Sequence, residues 1–330
     1  MTVTIQSILD AETRISPYKI ETALLSSDRL NQKLPFDLLV KADCLQRTGS
    51  FKFRGGCNAV FSLEDPGKPV LAYSSGNHAQ AVALAARLSG RTATIVMPED
   101  APVAKIEGTR SYGAEVVLYD RYSQSREEIG AELAEKQSAE LIAPFDDERV
   151  ISGQGTAGLE IVRQLQEMDK QLDVFFCCCG GGGLMAGTSL ALTHTFPEAD
   201  LYTAEPAGFD DTARSLDAGE RLSNDPSARS ICDAIVTPAP GQLTFPIIQR
   251  LAAGGKVVTD DEALSAMKTA WDYFKLTVEP GGAVALAAAL DAGFIASKRG
   301  GKRQTVVAMI SGGNCDEAMF NRALNAATLV

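Results

Sequence analysis

Histidine is nearly missing from this chain: only His78 and His194 occur in 330 residues, which speaks against histidine-rich metal chemistry. Cysteine pairs at CxxC spacing are missing too. The seven cysteines are an odd number and three of them, Cys177, Cys178 and Cys179, are adjacent. Reduced thiols of a cytoplasmic protein are the simplest account, and neither a disulfide framework nor a zinc site is expected. No run approaches the ~20 apolar residues that span a bilayer. The opening MTVTIQSILDAETRIS mixes charge with apolar residues and lacks a signal-peptide core. Positive charge is in deficit, with 31 Lys and Arg against 42 Asp and Glu for a net charge of −11. That argues against nucleic acid or an anionic membrane as partner. No period of ~20–50 residues recurs, so a solenoid is not expected.

What is present is an ordinary globular composition, 45% hydrophobic and 22% charged, in a chain long enough for two medium domains. Short apolar runs alternate with helical patterns. KPVLAYSS, TATIVMP, AEVVLY, AELIAP, DVFFCCC, DLYTAE and TVVAMI read as strands. Between them lie helix-like stretches such as NHAQAVALAARLSG, SQSREEIGAELAEKQ and GLMAGTSLALTHTF. This alternation predicts parallel sheets with helices on both faces. About ten such units are too many for one simple sheet, so two α/β domains are expected, with the chain crossing between them. In DVFFCCC the cysteines act as small hydrophobes of a buried strand.

Three turns follow strands, where open α/β sheets place ligands. Gly180-Gly181-Gly182-Gly183 lies between a buried strand and a helix, so backbone N–H groups can approach an anion at the helix N-terminus. Gly181, Gly183 and Ala186 also fit a dinucleotide G-x-G-x-x-A pattern, but four glycines satisfy many patterns, and no Gly-Lys-Ser/Thr follows for a nucleotide P-loop. Ser74-Ser75-Gly76-Asn77-His78 offers hydroxyls, an amide and free N–H groups to a carboxylate; a plain helix N-cap is the competing reading. Ser311-Gly312-Gly313-Asn314 follows the last apolar strand. Ser50-Phe51-Lys52-Phe53-Arg54-Gly55 adds a lysine between two phenylalanines, whose amine would be desolvated if enclosed.

Taken together, SFKFRG, SSGNH, the tetraglycine and SGGN resemble, in family order and over nearly the whole chain, the fold-type II pyridoxal-phosphate enzymes. The nearest resemblance is to the serine/threonine dehydratase family that includes serine racemase. It implies two open parallel-sheet α/β domains of the tryptophan synthase β-like kind, with the cofactor in the cleft between them. Residues 1–68 and 147–330 would form a large, discontinuous domain and residues 69–146 a small one. No regulatory extension follows Val330, so a single catalytic unit is expected, as a cytoplasmic homodimer.

The resemblance implies that Lys52 forms the Schiff base with pyridoxal 5'-phosphate, with Phe51 near the ring. Gly180, Gly181, Gly182 and Gly183 would bind the phosphate, Asn77 the ring oxygen and Ser311 the pyridine nitrogen. Ser74, Ser75, Gly76, Asn77 and His78 would hold the substrate carboxylate, and Ser75 would act from the opposite ring face in racemisation. A serine at the pyridine nitrogen leaves it essentially neutral, which favours expulsion of a β leaving group over transamination. The implied reaction is β-elimination of water: the lysine amine, its pKa lowered by desolvation, removes the Cα proton, the hydroxyl leaves, and the enamine product hydrolyses to ammonia and a keto acid. Glu205, Asp211 and the carbonyl of Phe209 match the family's ligands for Mg2+, Ca2+ or Mn2+.

Three segments depart from the family pattern: Cys232-Asp233-Ala234 replaces a glycine near the cofactor, Glu279-Pro280-Gly281-Gly282-Ala283 varies a common segment, and Ala79 replaces a glycine. YDRYSQSREEIG, TPAPGQLTFPII and EPGGAVALAA look most like members acting on 3-hydroxyaspartate or loosely described as threonine/serine dehydratases. A second substrate carboxylate needs a cation or donors, for which His78, Arg126 and Arg149 are candidates. Threonine or serine dehydration and serine racemisation are the alternatives. Cysteine synthase and threonine synthase share the fold but differ around the lysine. A non-enzymatic nucleotide-binding module would leave Lys52 and SSGNH unexplained.

Overall fold

The computed structural model describes residues 3–74, 76–101, 103–296 and 303–329. Ten strands occur among them: β1 Leu24–Ser26, β2 Asp37–Ala42, β3 Val70–Tyr73, β4 Ala93–Pro98, β5 Glu115–Tyr119, β6 Glu140–Leu141, β7 Val174–Cys178, β8 Asp200–Pro206, β9 Gly254–Val258 and β10 Thr305–Ile310. They form a six-stranded sheet in the order β1-β2-β10-β7-β8-β9 and a four-stranded sheet in the order β5-β4-β3-β6. All pairings are parallel except that of the edge strand β1 with β2. β7 and β10 are buried along their whole length, as expected of central strands covered by helices on both faces. No helix among the described residues is long and apolar enough to cross a membrane.

The strand order fixes where a ligand can enter. In the large sheet the chain runs outward from β7 through β8 to β9, then returns to insert β10 between β7 and β2. The connections therefore diverge at the β7/β10 boundary, opening a crevice beyond the carboxyl ends of these strands. The small sheet repeats the device. β3, β4 and β5 run one way and β6 returns to the other side of β3. Beyond β7 and β10 lie Gly180–Gly183 and Ser311; beyond β3 and β6 lie Ser74–His78 and Ala143–Phe145.

Two helices join these regions. The 20-residue helix Glu148–Glu167 packs against both Gly183–Thr195 and Lys52–Phe61. Lys52–Phe61 packs in turn on Asn77–Leu88, and its Phe53, Cys57, Ala59 and Val60 share an apolar cluster with Val70, Ala72, Ile95 and Met97 of the small sheet. The helix that begins at Lys52 is thus bedded in the small sheet's core. Pro280–Ala289 is buried on every side, consistent with its uniformly small apolar sequence. It presents its N-cap, Glu279, to the cleft.

Candidate active site

Backbone bonds pin the lysine segment to the end of β10: Phe51 N–H donates to the Ser311 carbonyl at 2.9 Å, and Ser50 bridges to Gly312. The two phenylalanines then diverge. Phe53 is fully buried in the apolar cluster below, whereas Phe51 is half-buried with its ring centroid 5.1 Å from Lys52 Nζ. Lys52 Nζ donates to the Pro144 carbonyl at 2.8 Å. Loss of water around the amine pulls its pKa down to about 8, against the opposing pull of the Glu279 carboxylate.

Two residues on, Arg54 is wholly buried and holds the helix through charge. Its guanidinium donates to Asp43 at 2.8 Å through Nε and Nη2, and to Glu160 at 2.7 and 2.8 Å. Lys41 Nζ lies 2.6 Å and Lys19 Nζ 2.5 Å from the same glutamate. Although burial acts to raise the Glu160 pKa, these cations hold the carboxyl well below its usual range.

Asn77 does not cap its own helix. It opens the helix Asn77–Leu88, which has no side-chain cap at Gly76. Its Nδ2 instead donates to Glu279 Oε1 at 2.6 Å, and its Oδ1 accepts from Asn314 Nδ2 at 2.7 Å. Burial, with the charge of Asp233, pushes the Glu279 carboxyl up to about 7. Residue 312 must be glycine here, because a Cβ would collide with that carboxylate. Ser74 Oγ accepts from Gly76 N–H at 3.2 Å; Ser75 lies outside the described residues. His78 Nε2 donates to the Ile142 carbonyl at 3.0 Å. Burial and then the charge of Lys52 push its pKa down to about 3. His78 is therefore neutral and cannot serve as a cation for a substrate carboxylate.

The tetraglycine turns at Gly182, whose φ of +88° favours glycine. A Cβ on Gly181 would run into the Phe145 ring. The loop is held from behind: Thr244 Oγ1 donates to the Gly181 carbonyl at 2.7 Å, and the Asp146 carboxylate accepts from the Gln242 and Leu243 N–H groups at 2.9 and 2.7 Å. First-turn N–H groups of Gly183–Thr195 have no i−4 partner within the helix, which suits an anion at this end.

These elements enclose a cavity of about 310 Å³ lined by Lys52, Asn77, Gly180–Gly183 and Ser311, a size suited to a small ligand. A glycine cradle, an amine with a lowered pKa and a hydroxyl at the far wall fit pyridoxal phosphate. Two further cations line the cavity. Lys105 reaches across the cleft to Asp233 at 2.9 Å, and Arg126 pairs with Glu127 at 2.7 Å while lying over the Tyr73 ring. Arg149 instead binds Asp147 and Glu140 and is not part of the lining. Gln154, 1% exposed, lines the cavity with neither side-chain amide atom hydrogen-bonded.

Glu205 and Asp211 come together at the end of β8. Glu205 accepts from the Thr212 and Ala213 N–H groups at 2.9 and 2.7 Å. Burial and the neighbouring Asp211 push it up to about 8, and burial pushes Asp211 up to about 6. Asn224 donates to Asp211 Oδ1, while Oδ2 is buried without a partner. Among the described residues no cluster of three or more His, Cys, Asp or Glu could hold a metal. Two carboxylates, one with a free buried oxygen, fit a hard cation completed by carbonyls and water.

Glu279 and Gln154 are among the polar cavity residues that motif reading left without a role, as is Lys105. A glutamate directly before proline at the head of an apolar run was the available signal for the first. Nothing local marked the second, whose exposure to the cavity depends on helix packing.

Residues 15–312 match the profile of the pyridoxal-phosphate dependent enzymes. The chain is 40% identical to the serine racemase of Dictyostelium discoideum, over 98% of each chain. It is 39% identical to the L-threo-3-hydroxyaspartate ammonia-lyase of Saccharomyces cerevisiae, over 94% of this chain and 92% of that one. The crystal structure of a threonine deaminase from T.th. superposes with a TM-score of 0.88 at 42% identity, over 95% of this chain and 99% of the other.

Proposed function

The chain belongs to the pyridoxal-phosphate dependent enzyme family, and from that premise we propose that it eliminates water from a β-hydroxy amino acid, with 3-hydroxyaspartate as the favoured substrate and ammonia and oxaloacetate as products. Supporting this choice over a neutral side chain is the pair of cations lining the cavity, Arg126 and Lys105, each of which would exchange its present partner, Glu127 or Asp233, for the substrate's second carboxylate. The name of the yeast relative points the same way.

Bound pyridoxal phosphate supplies the electron sink that labilises the bond to the Cα proton and the β leaving group. The protein's part is positioning and proton handling. Gly180–Gly183 would hold the phosphate through backbone N–H groups, with Phe51 beside the ring, Asn77 for the ring oxygen and Ser311 for the ring nitrogen. Ser74, Gly76, Asn77 and His78, together with Ser75, receive the substrate carboxylate. The neutral His78 ring gives its one N–H to the Ile142 carbonyl, so only the backbone N–H of His78 is offered to that carboxylate. Lys52 would hold the cofactor, and its amine is the group placed to take the Cα proton. With a pKa of about 8, that amine is poised near working pH for the transfer. Arg126 receives the second carboxylate. Glu205, Asp211 and the Phe209 carbonyl would hold a divalent cation, Mg2+ in the first instance, outside the cavity.

Threonine or serine dehydration, or serine racemisation through Ser75, is the second reading, favoured by the identity to a serine racemase. Ammonia and keto acid formed by the holoenzyme from serine, threonine and each 3-hydroxyaspartate stereoisomer separate these. The proposal predicts the highest kcat/KM with a hydroxyaspartate, and a KM at least about tenfold higher for that substrate alone in Arg126→Ala. Equal kcat/KM for serine and hydroxyaspartate would overturn the substrate choice. Visible cofactor absorbance that survives Lys52→Ala would overturn the role of the lysine.

A further inference from the structure

β7 ends in Cys177 and Cys178, with Cys179 just beyond it, and the alternation of side chains along the strand separates their roles. Cys177 Sγ is directed to the Cys178 carbonyl at 3.4 Å and Cys179 Sγ meets Thr212 Oγ1 at 3.4 Å. Cys178 faces the other way. It lines the cavity, and its thiol donates to Ser311 Oγ at 3.1 Å. β7 and β10 are paired in register over Val306↔Val174, Val307↔Phe175 and Ala308↔Phe176, so the thiol and the hydroxyl project from neighbouring strand ends fixed by the sheet itself.

A serine hydroxyl has one proton to give and two lone pairs. One lone pair of Ser311 is taken by the Cys178 S–H. Ser311 is 3% exposed, and its backbone groups are engaged separately, the carbonyl by Phe51 N–H and the N–H by the Gly282 carbonyl at 3.4 Å. Its own O–H is therefore left to point into the cavity.

From this we infer that Cys178 is a positioning residue: by donating to Ser311 Oγ, its thiol turns the serine proton toward the bound cofactor, so that Ser311 acts as a donor to an unprotonated ring nitrogen. The inference rests on Ser311 facing that nitrogen. A thiol does this without introducing a carboxylate, which would favour a protonated ring.

The test is titration of the apoprotein with pyridoxal phosphate, read by cofactor absorbance, for the wild type, Cys178→Ala, Cys178→Ser, Ser311→Ala and the Cys178→Ala/Ser311→Ala double variant. Loss of one hydrogen bond is expected to weaken binding about fivefold in Cys178→Ala. Cys178→Ser, which keeps a donor, restores it. Because the thiol acts through the serine, Cys178→Ala adds nothing on the Ser311→Ala background. Wild-type affinity in Cys178→Ala, losses that multiply in the double variant, or a serine variant as weak as the alanine would each overturn the inference. Wild-type affinity in Ser311→Ala would instead remove the premise that Ser311 faces the cofactor.

Discussion

Glu279 accepts a hydrogen bond from Asn77 at 2.6 Å, joining the N-cap of a buried helix in the large unit to the first helical residue beyond β3 in the small one. The two residues are 202 positions apart in sequence. This bond ties the ligand loop of one sheet to the floor of the other. Replacing Glu279 with alanine leaves the Asn77 Nδ2 donor without its acceptor, at a cost of about 1–3 kcal/mol, measured as a lower midpoint in urea unfolding. Glutamine retains an acceptor and should cost less. Removing the carboxylate charge also removes a pull that raises the Lys52 pKa. In Glu279→Gln apoprotein, labelling of Lys52 by an amine reagent should reach its half-maximum at lower pH than in the wild type.

The Arg54 cluster sets the rigidity of the lysine helix. Arg54, Lys41, Asp43 and Glu160 are all fully buried. Removing one partner leaves the others uncompensated. Glu160→Gln is expected to destabilise the protein by about 3–5 kcal/mol, against under ~1 kcal/mol for Glu107→Gln in the exposed Arg110 pair. Chemical denaturation compares the two; equal effects would show that the cluster is not what holds the helix.

Three carboxyls have raised folded pKa values: Glu205 at about 8, Glu279 at about 7 and Asp211 at about 6, from ordinary values of 4.5, 4.5 and 3.8. Each takes up its proton more readily in the folded state. Its contribution is fully present below the unfolded pKa and is lost as pH rises through the folded value. His78 between about 3 and 6.5 and Lys52 between about 8 and 10.5 act in the opposite sense, the unfolded chain binding the extra proton, but the three carboxyls outweigh His78 over pH 5 to 8. Apoprotein Tm should therefore fall from pH 5 to pH 8. Added Mg2+ should recover more of it at pH 8 than at pH 5, because the cation competes with protons for Glu205 and Asp211. Asp211→Asn should abolish that difference.

Gln154 lines the cavity, and neither of its amide atoms has a partner. A buried amide in this state costs free energy unless a ligand or water completes it. Gln154→Leu should raise substrate KM by about tenfold with little loss of thermal stability, whereas a purely structural glutamine would lower Tm and leave KM unchanged.

Much of the architecture was legible in strings of one kind. β3, β4, β5, β7, β8 and β10 are apolar runs with β-branched or aromatic residues, and they stood out as strands. β1, β2 and β9 did not. β1 has three residues, β2 carries Asp37 and the buried Lys41, and β9 starts with two glycines. Each becomes a strand because a neighbour supplies the ladder. The same division runs through the site. Lys52, the tetraglycine and SSGNH announce themselves because their chemistry needs particular residue types at consecutive positions.

By itself the sequence determined the family and the residue types it offers: a lysine in an aromatic setting, four glycines between a strand and a helix, and a serine at the end of the last strand. Only the tertiary structure decided which of the flanking groups take part. It sent Phe53 into the core and kept Phe51 beside the amine, left His78 uncharged, turned Arg149 away and Arg126 toward the cavity, and set Cys178 behind Ser311. The reason is physical. A residue's type fixes what it can donate or accept, but its pKa and its partner depend on burial and on groups far away in sequence, and those are set when the two sheets close around the cleft.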